Sequence, residues 1–325
     1  MSRLARYSSS AFQLRKLHSI HLATLSFRSS FATSAPQSTA TPPSPPPIHV
    51  RLTEYAGRGV FASRRISAGE LIHTAQPIVS HPSLSSLHTV CYFCLRKLPS
   101  SARSLEAFQT VSFCSTQCEE QSKVTYLTIH SSIHTVQQQG LKYPLLVKRM
   151  ACQVISGAVS SDVLDILQPE ISSSDRISKM KKEVALLKNT FVDSDIGSEQ
   201  MAFLTEEWYA GLLARIRINA FRIELAVGSY EDLLSLAAAS VEAEAAVGNA
   251  VYVLPSLYNH DCDPNVNIVW VENVDAKVKA LRDIEEGEEL RICYIDASMD
   301  YKARQRILYE GFGFHCNCPR CVSKD

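Results

Sequence analysis

The sequence predicts an α+β fold of small sheets, split by a zinc knuckle and a helical insertion and closed by a second cysteine cluster. Three observations predict it. Short stretches rich in β-branched and aromatic residues, bounded by Gly or Pro, precede residue 80 and return after residue 216. Between them, residues 123 to about 214 place apolar side chains at helical spacing. Seven of the ten cysteines fall in two tight groups instead of being spread along the chain. At 325 residues, 46% hydrophobic and 20% charged, the chain can bury a sizeable core. It holds no run of 18 or more predominantly apolar residues, which excludes a membrane-spanning helix of that kind.

Residues 1–34 mix Arg, Ser, Leu, Phe and Ala without an acid, and Leu14, Leu17 and His21 recur at i, i+3, i+7. That pattern is expected of an organelle transit peptide, mitochondrial or plastid, with a disordered basic tail as the other reading. Residues 35–47 (APQSTATPPSPPP) form a Pro/Ser-rich linker that supports neither helix nor strand ladder. The zero formal charge hides an asymmetry. Residues 1–50 carry five basic side chains (Arg3, Arg6, Arg15, Lys16, Arg28), so the remainder has 28 basic against 33 acidic, a net −5. A body of that sign is a poor non-specific nucleic-acid binder, although Arg96, Lys97 and Arg103 give the knuckle a modest basic face.

The folded body is expected from Ile48. Its first part reads as a meander broken by Gly57, Gly59 and Gly69. Helical faces follow at Leu145, Val147, Met150 and Val154, and at Trp208, Leu212, Leu213 and Ile216. Strands are expected over Arg217–Leu225, Val251–Leu254, Val266–Val271, Val278–Arg282 and Glu289–Ile295. The Ala/Leu/Glu-rich Ser229–Val247 favours a surface helix, and Asp300–Phe312 reads as an amphipathic one.

The cysteines carry the chemistry. Cys91 and Cys94 form a C-x2-C pair, and Cys114 and Cys118 a C-x3-C pair, offering four thiolates to one tetrahedral zinc. Cys316, Cys318 and Cys321 supply three ligands to a second zinc. Cys262 is the best-placed fourth, which would staple the tail to the middle of the chain. Cys152 and Cys293 are left over as small buried hydrophobes. His130 and His134, four apart in a polar stretch without an acidic partner, read as structural or solvated.

Four pieces then stand in order: Gly57-Arg-Gly-Val-Phe-Ala62, Asn259-His-Asp-Cys-Asp-Pro-Asn265, Gly287-Glu-Glu-Leu-Arg-Ile-Cys-Tyr294, and the Cys316/Cys318/Cys321 triad. Together they resemble a SET-domain protein lysine methyltransferase over about residues 48–321. The knuckle at 91–118 sits where SET-and-MYND proteins carry a zinc finger, though it offers ligands for one zinc where theirs hold two. Arg217–Leu225 looks like their Asn-Ser-Phe strand, and the whole looks most like the short plant trithorax-related SET proteins, classed as histone-lysine methyltransferases. The resemblance implies a SET (β-clip) fold over 48–298, a post-SET segment over 299–325, and S-adenosylmethionine as methyl donor to a lysine-bearing protein, possible substrates including a histone tail. It implies cofactor contacts from Gly57, Arg58, Gly59, Asn219, Ser256, Leu257, Tyr258, Asn259, His260, Tyr294 and Phe314, with Tyr294 as the catalytic residue.

Methyl transfer needs an in-line approach of a neutral amine to the methyl carbon, so geometry supplies most of the catalysis. A free lysine has a pKa of about 10.4, which a neighbouring sulfonium and a desolvated channel push down. Tyr294 suits the orienting role; as a general base it would have to ionise far below the ordinary phenol value. The competing expectation is an inactive SET-fold module braced by zinc for protein interaction. The leader points to mitochondrion or plastid, and the family to chromatin and the nucleus.

Overall fold

The computed structural model describes residues 45–99, 111–126, 144–170, 177–226 and 246–325. The expected leader, most of the linker, all but the last two residues of the helix expected at Ser229–Val247, and His130 and His134 lie outside the described residues; residues 246–247 are not helical, Val247 N donating to the Ile223 carbonyl at 2.9 Å. The chain enters at β1 (Ile48–Leu52), turns at Gly57 (φ +73°) and returns antiparallel as β2 (Arg58–Ala62). Gly69 (φ +78°) marks the next reversal, before β3 (Leu71–Ala75) and β4 (Val79–Pro82). Gly59, expected as a breaker, is instead part of β2.

Three small sheets result. The first has the order β1-β2-β10-β7, with β7 at Asn259–His260 and β10 at Glu289–Ile292. The second, β3-β9-β8, uses β8 (Val266–Val269) and β9 (Ala276–Ala280). The third, β4-β6-β5, uses β5 (Ala220–Ile223) and β6 (Gly248–Val251). Val60, Ile66, Tyr252, Tyr258, Val278 and Leu290 pack as one core between them. Each such side chain contributes about 1.5–3 kcal/mol when fully buried.

The insertion brings α1 (Thr116–Tyr126), α2 (Pro144–Ile155), α3 (Ile177–Val192) and α4 (Glu206–Asn219). Val147, Met150, Leu187, Phe191, Tyr209 and Ile216 form a second core that reaches the third sheet through Val79 and Val251. Helix α2 is enclosed on several sides, so its buried set differs from the expected stripe. Leu146, Val147, Met150 and Ala151 are buried together with Lys148 and Arg149, while Leu145 and Val154 are only half-buried. Arg149 donates to the Tyr92 carbonyl at 2.9 Å and lies 4.7 Å from that ring, so its charge is met inside the fold. Burial pulls the Lys148 amine down to about 8.

Boundaries move where tertiary pairing overrides local pattern. Arg217–Asn219 is the last turn of α4, capped at its start by Thr205, and the strand begins only at Ala220. The strand expected at Val251–Leu254 ends at Val251, because Pro255 opens a short 3-10 turn. The strand expected at 278–282 starts two residues earlier, in register with β3 and β8. The two later strands of 266–271 and 289–295 stop short, at Val269 and Ile292. After β10, α5 (Tyr301–Phe312) is capped by Asp300, whose carboxylate accepts from Ala303 N at 3.0 Å. The short α6 (Pro319–Val322) follows.

Two glycines separate packing from propensity. A Cβ on Gly248 would sit 2.5 Å from the His81 carbonyl on the neighbouring strand, whereas one on Gly311 in α5 meets nothing within 4 Å. Gly248→Ala is expected to lower the unfolding free energy by about 1–3 kcal/mol. Gly311→Ala is expected to raise it by about 0.5–1 kcal/mol. Urea titrations check both, and equal effects from the two would contradict the packing assigned to β6.

Candidate active site

Strand β10 brings the motif pieces together. It pairs antiparallel with β2, Leu290 opposite Val60, and parallel with β7, Arg291 opposite Asn259 and Ile292 opposite His260. The absence of a side chain at Gly59 allows this approach. A Cβ there would lie 2.5 Å from Glu289 Oε1 and 3.0 Å from Asn259 Nδ2.

Polar groups around that contact are held in one arrangement. Asn259 Nδ2 donates to Glu289 Oε1 at 2.7 Å and to the Arg58 carbonyl at 3.1 Å. The other carboxylate oxygen of Glu289 accepts from Arg291 Nη2 at 2.5 Å, and Arg291 also reaches Asp261 at 3.4 Å. Asn265 has a different task. Its Nδ2 donates to the Glu289 carbonyl at 2.8 Å and its Oδ1 accepts from Arg291 N at 2.8 Å, locking the heptad loop onto β10.

Tyr294 lies just beyond β10. Its hydroxyl donates to the Tyr258 carbonyl at 2.6 Å, and its backbone N donates to His260 Nδ1 at 3.1 Å. Gly313 (φ +80°) reverses the chain after α5 and sets Phe312 and Phe314 against this ring, at centroid distances of 5.0 and 6.4 Å. Phe314 also meets His260 at 5.9 Å. Burial, and after it the charge of Glu289, holds the Tyr294 hydroxyl above the ordinary phenol value. Burial pushes the His260 imidazole down to about 4, leaving it neutral at pH 7.

The remaining expected cofactor residues divide. Gly57 is an exposed turn, and the Arg58 guanidinium donates to the Ile166 carbonyl. The Ser256 hydroxyl turns back to the Tyr252 carbonyl at 2.6 Å, and Leu257 packs between the two cores. Tyr258 sends its ring inward, its hydroxyl 2.9 Å from His73 Nε2, and offers the site its backbone carbonyl. Asn219 closes α4 and donates to the carbonyls of Gln168 and Arg215, both at 2.8 Å. Residues 160–170 thus form a strap between Arg58 and Asn219, fastened also by Trp208 Nε1 to the Ser161 carbonyl at 2.9 Å. No sequence signal marked that strap, because its contacts to Arg58, Asn219 and Trp208 run through backbone carbonyls that every residue type carries. Phe312 was likewise missed, although its place two residues before Phe314, across a helix-ending glycine, offered a clue.

The cysteines gather as expected. Cys262, Cys316, Cys318 and Cys321 bring their sulfurs within 4.8 Å of one another, and so do Cys91, Cys94, Cys114 and Cys118. Tetrahedral zinc with Zn–S bonds of about 2.3 Å requires sulfurs about 3.8 Å apart. Observed separations are 3.6 and 4.0 Å from Cys262 to Cys321 and Cys316, and 3.5 Å from Cys114 to both Cys94 and Cys118. Both donor sets fit a structural zinc. The N-terminal cluster is fastened to the sheet core by Val274 N donating to the Cys94 carbonyl at 2.8 Å. Cys152 is buried as expected, and the half-buried Cys293 donates to the Ile295 carbonyl at 3.1 Å.

Comparison with known proteins agrees with this geometry. The family model described as "SET domain" matches residues 57–295. "Histone-lysine N-methyltransferase ATXR4" of Arabidopsis thaliana is 58% identical over 287 residues, covering 86% of this chain and 88% of that protein. A Dictyostelium discoideum "SET and MYND domain-containing protein" is 22% identical, covering 78% of this chain and 77% of that one. The human "Histone-lysine N-methyltransferase SMYD3" is 26% identical, covering 84% of this chain and 61% of that protein.

Elemental analysis of the folded protein is expected to return two zincs per chain, falling to one in Cys262→Ser. A count of zero in properly folded protein would overturn both assignments.

Proposed function

The chain belongs to the SET-domain family, and from that premise we propose that it transfers the methyl group of S-adenosylmethionine to the side-chain amine of a protein lysine, with histone lysine as the candidate. The observation that carries the reading is Tyr294. It stands where β2, β7 and β10 meet, fixed at its hydroxyl by Tyr258 and at its backbone by His260. The relative that is 58% identical over most of both chains carries the name of a histone-lysine N-methyltransferase, which supports the same reaction.

The bound cofactor supplies a methyl carbon on a sulfonium, which departs as a thioether. Gly59 and Asn259 would be among the residues that hold its methionine end, with the Asn259 amide fixed by Glu289 and the Arg58 carbonyl. Phe314 and His260 offer aromatic surface beside Tyr294 and exclude water there. Because Tyr294 gives its own proton to the Tyr258 carbonyl, its oxygen is left to accept an N–H of the incoming amine and aim the nitrogen lone pair. With its ionisation pushed upward it stays a hydroxyl, so the amine's proton leaves to solvent. The inactive-module alternative gains nothing from a site whose Asn259, His260 and Tyr294 are all present and mutually positioned.

The acid-free leader supports a mitochondrial or plastid location; the histone name of the relatives supports the nucleus as the second reading. A body of net −5 supports a protein partner over direct nucleic-acid contact.

Tyr294→Phe is expected to slow methyl transfer to a lysine peptide by about 10²-fold while the calorimetric affinity for S-adenosylmethionine stays nearly unchanged. Wild-type turnover in that variant would remove Tyr294 from the mechanism. A fluorescent fusion of the full chain is expected in an organelle and one lacking residues 1–47 outside it. Identical distributions would remove the targeting role from the leader.

A further inference from the structure

We propose that His260 is a positioning residue whose imidazole ties the C-terminal thiolate cluster to Tyr294, Nδ1 accepting the Tyr294 amide and Nε2 donating to the Cys262 sulfur. The claim deepens the methyltransferase reading and rests on it only for the role of Tyr294. A backbone N–H can only donate, and Tyr294 N points at His260 Nδ1 from 3.1 Å, so that nitrogen carries the lone pair. In a neutral imidazole the proton then belongs to Nε2, which faces Cys262 Sγ at 3.3 Å.

That sulfur lies in the cluster, 3.6 Å from Cys321 and 4.0 Å from Cys316. A thiolate holding zinc keeps lone pairs free for an N–H, and such supporting donors commonly set metal affinity. Arg304 approaches the same cluster from another side, with Nη2 3.9 Å from Cys321 Sγ. His260 itself is carried rigidly, as the residue of β7 paired with Ile292 on β10. A path of two hydrogen bonds therefore joins the cluster that pins the tail to the residue that orients the amine. Tilted ring contacts reinforce it, with His260 5.3 Å from Tyr294 and 5.9 Å from Phe314.

Amide side chains can divide the two contacts. An Asn oxygen reaches the place of Nδ1 without reaching Cys262, whereas a Gln amide nitrogen reaches the place of Nε2. Long-range proton–nitrogen spectra of the zinc-loaded full chain should show His260 protonated at Nε2 alone; the opposite tautomer, or a charged ring, overturns the proposal. His260→Asn should lose one of its two zinc equivalents to a chelator about 10-fold faster than wild type, while the Tyr294 amide resonance stays hydrogen-bonded. His260→Gln should hold that zinc longer than the Asn variant, yet lose the Tyr294 amide signature and more of the turnover. If both variants rank in the same order on zinc release and on the Tyr294 amide, or cannot be told apart, the imidazole only fills space and the proposal fails. None of the zinc or resonance readouts needs methyl transfer, so a wild-type chain that methylates no lysine sinks the enzymatic reading and leaves this test standing.

Discussion

Everything in the site depends on the register of one four-residue strand. Strand β10 bonds to β2 on one edge and to β7 on the other, and a slip of one residue would turn Leu290 and Ile292 out of the core while turning Glu289 and Arg291 in. Two devices hold the register. Asn265 uses both ends of its amide on consecutive groups of β10, and Gly59 admits the Glu289 and Asn259 side chains to space that any Cβ would fill. Tyr294 inherits its position from this strand, so the accuracy of the site is set by backbone pairing more than by side-chain packing.

What was legible in the sequence were the features whose chemistry constrains spacing. Thiolates meant for one ion must come in close pairs, so both clusters could be read, including the distant Cys262 that completes the second. The segment Asn259–Asn265 and the late tyrosine could be read because, in order with Gly57–Ala62 and the tail cysteines, they carry the resemblance to SET-domain methyltransferases. Features built from generic groups were silent. The strap over residues 160–170 holds Arg58 and Asn219 through carbonyls, which leave no mark in composition. The burial of Lys148 and Arg149 was hidden by their charge, since long basic side chains ordinarily face water. The helical end of Arg217–Asn219 was hidden by a β-branched, strand-like pattern that the α4 packing overrides.

The electrostatics of the site follow from desolvation. Tyr294 and Tyr258 have their ionisations pushed up by burial, and His73 and His260 have theirs pushed down to about 4. Burial thus keeps the two imidazoles neutral at pH 7 and holds the two phenols further from ionising than they ordinarily are. The Glu289–Arg291–Asp261 group carries charge that is internally paired. Among the described residues around Tyr294, then, the groups beside it are neutral and the charges are paired with one another. The division suits a reaction whose barrier is mostly one of approach and desolvation.

The tail shows what a zinc at its four cysteines would add to a fold that otherwise relies on its cores. Helix α5 buries only Arg304 and Leu308, and fixing each tail residue costs about 1–2 kcal/mol of backbone entropy. One buried leucine returns about 1.5–3 kcal/mol, far too little to order the segment that carries Phe312 and Phe314. A four-thiolate zinc site would add about 10–16 kcal/mol on binding, which goes toward that cost. The aromatic wall beside Tyr294 therefore stands on Cys262 and the three tail cysteines, and the sequence separation between them measures how far the chain must return to complete its own site. Loss of a zinc from that cluster would free the segment that carries the aromatic wall beside Tyr294.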